Sequence, residues 1–381
     1  MAADAAFPDS REPKLLLTLK GERMKILLLA DLHLNTPKGV LKRFGTADAK
    51  AAIDSLKAVV DSEKPEACII AGDIFNSTSH DGTEIRLIRY LKDALGSEIL
   101  IYVIRGNHDR SEFSTPTNMF DWIELTETPV YLDAEKKITI SGLHFCNTAK
   151  HREYLSQKRS DIMVCHFPMA PFNSFNPENI SIEAAPADCV VVVGDTHKPA
   201  VVMKDDRCVV SPGCLFPANK AELLSGEAGS AYILEIDRLN GELEANLKPV
   251  RLNSRFGADL TRLSSLDEVV DGLKSIDARR PFPSNLKPVA FVDSSVSSQS
   301  VLSEYADRIE IIPVTTVVEG TELSVDFSGL EGEDVTARIH RILDTIFDGE
   351  PEKDSMVGLA EDLVVTDSPA KIIDAFIKSK L

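Results

Sequence analysis

The chain lacks what a membrane span requires: none of its apolar runs approaches the ~20 residues that cross a bilayer. Its 43% hydrophobic and 27% charged residues are those of an ordinary soluble globular protein. Paired cysteines are missing as well. The six cysteines (Cys68, Cys146, Cys165, Cys189, Cys208 and Cys214) form no CxxC, and most lie in apolar runs such as ACII and MVCHF. They read as small buried hydrophobes in a reducing, cytoplasmic setting, which argues against a cysteine zinc site. Residues 1–23 carry no apolar signal-peptide core with a small-residue cleavage site. They read as a polar leader interrupted by LLLTL (15–19), with Met24 as an alternative start.

Positive charge is also scarce. The formal net charge is −18 and uneven: residues 301–381 hold 18 acidic and 7 basic side chains, net −11, against −7 for residues 1–300. An acidic total argues against coating nucleic acid through a general positive field. KHREYLSQKR (150–159) and LKPVRLNSR (247–255) are the local basic stretches that could hold a phosphate backbone, and for both a solvated surface is the preferred reading.

What is present is alternation. MKILLLAD (24–31), EACIIAGD (66–73) and EILIYVIRGNHD (98–109) are apolar strand candidates, separated by helical spacing over 49–63 and 84–95. Strands alternating with helices predict βαβ units and a mainly parallel sheet covered on both faces. Further strands are predicted at 137–146, 161–168, 189–197, 208–214 and 231–237. These are more hairpin-like, so a mixed or antiparallel second sheet is expected. After about residue 255 the texture changes: a helix over 266–277, a proline-rich linker at 279–288, strand, helix and strand within 288–318, and amphipathic helices at 333–347 and 368–381. At 381 residues about two domains are expected. The boundaries read as a leader (1–23), a first domain (24–255) and a second (256–381).

Polar residues stand at the ends of these strands. Asp31 and His33 follow the first, Asp73 the second, Asn107, His108 and Asp109 the third, His166 follows MVC, and Asp195 and His197 follow CVVVVG. Each falls at the carboxyl end of an apolar strand, the edge where open α/β sheets bind ligands. Carboxylate, imidazole and amide together suit divalent ions such as Mn²⁺, Fe²⁺ or Zn²⁺. Alone, a DxH or a GD is a turn or a cap; five such elements in this order are not explained that way. One-residue spacing in an extended segment would put Asp31 and His33 on the same side, with Leu32 facing the interior.

The series DLH (31–33), GD (72–73), GNHD (106–109), His166 and GDTH (194–197) resembles the calcineurin-like metallophosphoesterase superfamily, whose pattern is DxH, GD, GNHD/E, H and GHxH. The continuations HKP (197–199) and SPGCLFPA (211–218) resemble its branch of SbcD-type double-strand-break repair nucleases. The resemblance implies a four-layer α/β/β/α sandwich, here with a smaller α/β C-terminal capping domain that helps present DNA. It assigns Asp31, His33 and His197 to one metal, Asn107 and His166 to a second, and Asp73 to both; a shared anion is what two cations ~3.5–4 Å apart require. Water would attack phosphorus in line while the metals neutralise the phosphoryl charge. His108 would protonate the leaving oxygen or stabilise the transition state, and Asp109 would orient His108.

Two positions depart from the pattern. Asp195 replaces the first His of GHxH; the preferred reading is a working oxygen ligand to the second metal, which would favour Mn²⁺ or Mg²⁺, and the alternative is a lost ligand. Asn76 stands where the nuclease branch tends to carry a second catalytic His, with His80 close enough in sequence to substitute. The expected function is an Mn²⁺-dependent DNA exonuclease or endonuclease of repair and recombination. Its expected partners are DNA, an SbcC-type coiled-coil ATPase docked on the C-terminal helices, and a second copy of itself as a homodimer. The alternatives are a phosphodiesterase or phosphatase acting on a nucleotide or phosphoprotein, and a non-catalytic scaffold.

Overall fold

The structure is a computed structural model that describes residues 23–34, 41, 43–75, 82–109, 121–135, 137–170, 180–239, 241–263, 265–278, 286–297 and 300–314. The leader up to residue 22, Asn76 and His80, most of the proline-rich linker, and the helices expected at 333–347 and 368–381 lie outside the described residues. Contacts divide the chain into two compact units: one of residues 1–35, 49–216 and 228–252, the other of 36–48, 217–227 and 253–381.

In chain order the first unit runs β1 (Met24–Leu29), α1 (Gly45–Glu63, whose first turn belongs to the second unit), β2 (Ala67–Ala71), α2 (Gly82–Leu95), β3 (Leu100–Ile104), β4 (Ile123–Glu124), β5 (Val130–Asp133), β6 (Ile138–Leu143), α3 (Thr148–Leu155), β7 (Ile162–His166), β8 (Cys189–Gly194), β9 (Ala200–Lys204), β10 (Arg207–Ser211), β11 (Ser230–Leu239) and β12 (Glu242–Arg251). Two six-stranded sheets result, ordered β12-β11-β1-β2-β3-β4 and β5-β6-β7-β8-β10-β9. Strands β1 to β4 of the first sheet, with β4 at its edge, and the inner strands β6, β7, β8 and β10 of the second are parallel. Antiparallel strands adjoin them, β11 and β12 on one side in the first sheet, β5 and β9 at either edge of the second. Both sheets are therefore mixed.

Burial explains the continuous apolar runs. Ile26, Leu28 and Ile69 of the first sheet meet Ile140, Val164 and Val192 of the second in one core. Leu27, Leu29 and Ile70, on the opposite face, pack against Ile53 and Leu56 of α1 and Leu87 and Leu91 of α2. Behind the second sheet, Met163, Cys165 and Val191 pack under Tyr154 and Leu155 of α3. The layers are α/β/β/α, and alternate residues of one strand serve two cores. Each fully buried Leu, Ile or Val contributes ~1.5–3 kcal/mol. Five of the six cysteines are buried in these layers, and none is in a disulfide.

The basic stretch 150–159 is more than a solvated surface. It lies largely in α3, started by Asn147, whose side chain accepts the Lys150 N–H at 2.9 Å. Two of its cations are paired, Lys150 and Arg159 both with Glu127, at 3.1 and 3.5 Å. His151 and Tyr154 on its other face are buried.

The second unit contains α4 (Lys220–Ser225), β13 (Gly257–Asp259), α5 (Leu266–Ala278), β14 (Val289–Asp293) and β15 (Glu310–Val314). The three strands form a parallel sheet. Val269, Leu273 and Ile276 of α5 pack with Ala290 and Val292 on one face, and Leu41, Phe44 and Leu223 with Val289 and Phe291 on the other. Arg255 is held by Asp48 through three contacts of 2.9–3.1 Å, both side chains being buried, and its guanidinium lies 4.2 Å from the centre of the Phe44 ring.

Candidate metal centre

Every polar residue singled out at a strand end belongs to the first unit, at the carboxyl edge of its two sheets. The backbone there is unusual. Asp31, His33, Asp73, Asp195 and His197 all have positive φ, between 42° and 77°. Such left-handed non-glycine residues cost of order 1–3 kcal/mol each and persist where the surroundings hold them. The expected extended geometry of DLH is corrected by this: Asp31 and His33 do not alternate along a strand. The chain past β1 coils through two left-handed residues, pinned by Asp31 N–H to Gly72 O (3.1 Å) and His33 N–H to Asp73 O (3.0 Å). Leu32 is nonetheless buried, as the spacing predicted.

Glycine in three of the motifs answers a need for space. A Cβ on Gly106 would lie 2.1 Å from Asp73 Oδ1; on Gly194, 2.0 Å from Ala71 O and 2.4 Å from His166 Nδ1; on Gly72, 2.4 Å from that same Nδ1. The absent side chains let His166, the last residue of β7, reach across to β2, where its Nδ1 hydrogen-bonds Ala71 O at 2.8 Å. This bond fixes Nδ1 as the donor and leaves Nε2 as the lone-pair nitrogen of the neutral ring.

Two groups of donor atoms result, with Asp73 between them. Asp31, His33, Asp73 and His197 each offer a ligand atom, all within 4.8 Å of one another, and the Nε2 atoms of His33 and His197 are 2.9 Å apart. On the other side, His166 Nε2 lies 3.0 Å from Asn107 Oδ1 and 3.7 Å from Asp195 Oδ1. Asp73 Oδ2 is 3.7 Å from His33 Nε2 and 3.4 Å from His166 Nε2, so it faces both groups. Its other oxygen accepts the His108 backbone N–H at 2.9 Å, and the His108 ring stands 4.0 Å from Oδ2 with its side chain 36% exposed.

The electrostatics suit cations. Burial pushes Asp31 up to about 6, although His197 and His166 pull it down. Asp31 Oδ2 is buried with no hydrogen-bond partner, an arrangement that costs ~1–3 kcal/mol unless something positive meets it. Burial also raises Asp195, opposed by His166. Burial likewise disfavours the charged form of Asp73, but the His166 contact and the His33 charge outweigh it and hold its carboxyl well below the ordinary range. On His166 burial disfavours the proton, yet Asp73, Asp31 and Asp195 together raise it to about 10. Three carboxylates, an amide oxygen and three imidazoles, one oxygen orphaned, fit divalent ions.

Asp109 is buried and its oxygens accept three backbone N–H groups: Gly106 at 3.0 Å, Ile74 at 3.2 Å and Phe75 at 3.1 Å. It ties the GNHD loop to the GDIF loop, and so bears on His108 through the backbone. Sequence reasoning passed over the neighbouring group Arg105, His144, Phe145 and Phe167, which lines a cleft beside the centre. The signal that marked the other residues was there too, since His144 directly follows β6.

The profile of calcineurin-like phosphoesterases matches residues 24–206. No curated protein matches the chain. Among solved structures, an archaeal phosphodiesterase is 15% identical, with 59% of this chain and 100% of that one covered, at a TM-score of 0.33. The phosphoesterase YfcE of E. coli is 14% identical, covering 60% and 100%, at 0.30. Vps29 from Entamoeba histolytica, solved with zinc, is 12% identical, covering 59% and 99%, at 0.27. The profile spans every strand end that supplies the centre, so residues 24–206 are similar to a calcineurin-like phosphoesterase domain, and the donor set of Asp31, His33, Asp73 and His197 could hold a divalent ion as that chemistry requires.

Proposed function

We propose that the chain is a DNA nuclease of the SbcD type, hydrolysing phosphodiester bonds with two divalent ions, Mn²⁺ by preference, in DNA repair and recombination. One observation carries this reading. The segment that resembles the nuclease branch is built into the centre itself: Cys214 N–H donates to His197 O at 3.0 Å, Leu215 N–H to Asp31 O at 3.4 Å, and Ser211 Oγ to Lys198 O at 2.9 Å. SPGC thus braces HKP and two ligand-bearing residues.

In this reading Asp31, His33 and His197 hold one ion, Asn107, His166 and Asp195 the other, and Asp73 both. The ions supply charge neutralisation at the phosphoryl oxygens and a lowered pKa for water. His108, exposed and held by its backbone bond to Asp73, gives a proton to the leaving oxygen, and Asp109 keeps its loop in place. Asp195, an anionic oxygen donor, favours Mn²⁺ or Mg²⁺ over softer ions. An SbcC-type ATPase and a second copy of the chain complete the proposed assembly.

The test is Mn²⁺-dependent cleavage of end-labelled linear duplex DNA by the purified protein, with His108→Ala alongside. Cleavage that disappears in the variant supports the nuclease. A second reading, a phosphodiesterase of small nucleotide esters, is favoured by the net charge of −18. It gains if bis(p-nitrophenyl) phosphate is hydrolysed while DNA is left intact with and without an SbcC-type ATPase.

A further inference from the structure

Beside the Asn107 and His166 side of the centre lies an open cleft of about 740 Å³. Among the described residues it is lined by Arg105, Gly106 and Asp109 on the β3 side, and by His144, Phe145, Asn147 and Phe167 among those facing them. A volume of ~300–1,000 Å³ is that of a small-molecule site. The cleft is contiguous with the centre: Gly106 and Asp109 belong to the GNHD loop, and the Phe145 ring meets the His166 ring edge-on with centroids 6.3 Å apart. That is about the span between a phosphate and the base of one nucleotide.

The chemistry of the walls selects the occupant. Arg105 would suit a second phosphate, but its Nε lies 2.7 Å from Glu124 Oε1. Lys150 and Arg159, on α3 and just beyond it, both face Glu127. Arg105, Lys150 and Arg159 thus all face carboxylates, two of them sharing Glu127, and Asp109 adds another acid. Aromatic faces and fixed polar edges remain. Phe145 is half-buried. His144 is held at both nitrogens, Nδ1 accepting the Arg105 N–H at 2.9 Å and Nε2 standing 3.2 Å from Glu124 Oε1. Asn147 uses its side-chain oxygen to cap α3, which leaves its amide N–H groups to donate.

We infer that this cleft receives the base of the nucleotide whose phosphate lies at the metal centre, with Phe145 as the stacking platform. Stacking on an aromatic ring tolerates any base, and its loss on alanine substitution amounts to a change of about 10- to 100-fold. The inference rests on the phosphodiester reading above, and its test separates the two.

With bis(p-nitrophenyl) phosphate as substrate, inhibition by thymidine 5′-monophosphate and by inorganic phosphate is measured for the unaltered protein, Phe145→Ala and Phe145→Trp. Phe145→Ala is expected to weaken the nucleotide about 10- to 100-fold while phosphate stays within about two-fold, and Phe145→Trp to keep tight nucleotide inhibition. Equal weakening of both inhibitors, or of neither, overturns the cleft assignment. Failure of the unaltered protein to turn over any diester overturns the hydrolase reading instead. Equilibrium dialysis of the same two anions with the Mn²⁺-loaded proteins then decides the cleft by the same pattern.

Discussion

Replacing Gly194 by alanine adds one methyl where two sheets and a ligand meet. That methyl would lie 2.0 Å from Ala71 O and 2.4 Å from His166 Nδ1. The first neighbour is backbone of β2, hydrogen-bonded on both sides within its sheet, so it cannot rotate away. The second is a ring fixed by the 2.8 Å bond to that same Ala71 O. Overpacking of a filled interior costs ~1–3 kcal/mol, and losing the His166 hydrogen bond adds ~0.5–1.5 kcal/mol. Gly194→Ala should therefore lower unfolding stability by about 2–4 kcal/mol. It should also weaken metal binding at the His166 side ~10–100-fold, the usual effect of releasing the group that orients a ligand. Urea unfolding and titration calorimetry with Mn²⁺ measure the two effects. A variant within about 0.5 kcal/mol of the unaltered protein, binding both ions as before, would refute the idea that this glycine exists to admit the imidazole.

Arg255→Ala leaves Asp48 buried without its cation and should destabilise by ~3–5 kcal/mol, read from denaturant midpoints; a loss below about 1 kcal/mol would contradict it. His33→Ala should remove one ion per chain, and undiminished stoichiometry by elemental analysis would contradict the assignment of His33. His151 gives a pH dependence: burial lowers it to about 4 from 6.5. Between those values the unfolded chain binds a proton that the folded one refuses, so this contribution is complete above pH 6.5 and is lost as pH falls toward 4. The total is roughly 3 kcal/mol. His151→Leu should flatten the stability loss between pH 7 and 4.5 by about 2 kcal/mol relative to the unaltered protein, and parallel pH profiles would rule this out.

The residues of the centre were readable because each is a carboxylate, amide or imidazole side chain at or just behind the end of a buried run, a placement that propensity alone disfavours. β1, β2, β3, β7 and β8 were readable for the same reason: buried on both faces, they spell continuous apolar words such as MKILLL and CVVVVG. The edge strands were not. β12, GELEANLKPVR with its flanking glycine, mixes glutamate, lysine and proline along a half-exposed edge, and its end reads as a solvated basic stretch and not as a strand. Such charges keep other chains from pairing with an edge, and in doing so hide the strand. α3 was missed because its surface is basic while His151, Tyr154 and Leu155 point inward. The left-handed backbone at Asp31 and His33 was not announced, since aspartate and histidine adopt it more readily than most residues but still uncommonly.

The donors of the centre come from β1, β2 and β3 of one sheet and from β7 and β8 of the other, joined by the His166 bond to Ala71. Neither sheet can open without scattering the site. Unfolding of this unit would therefore release any ion held there, and a divalent ion free at a hundred times its dissociation constant would add ~2.7 kcal/mol to the whole unit. The melting temperature of the first unit would then be a gauge of the metal concentration around it.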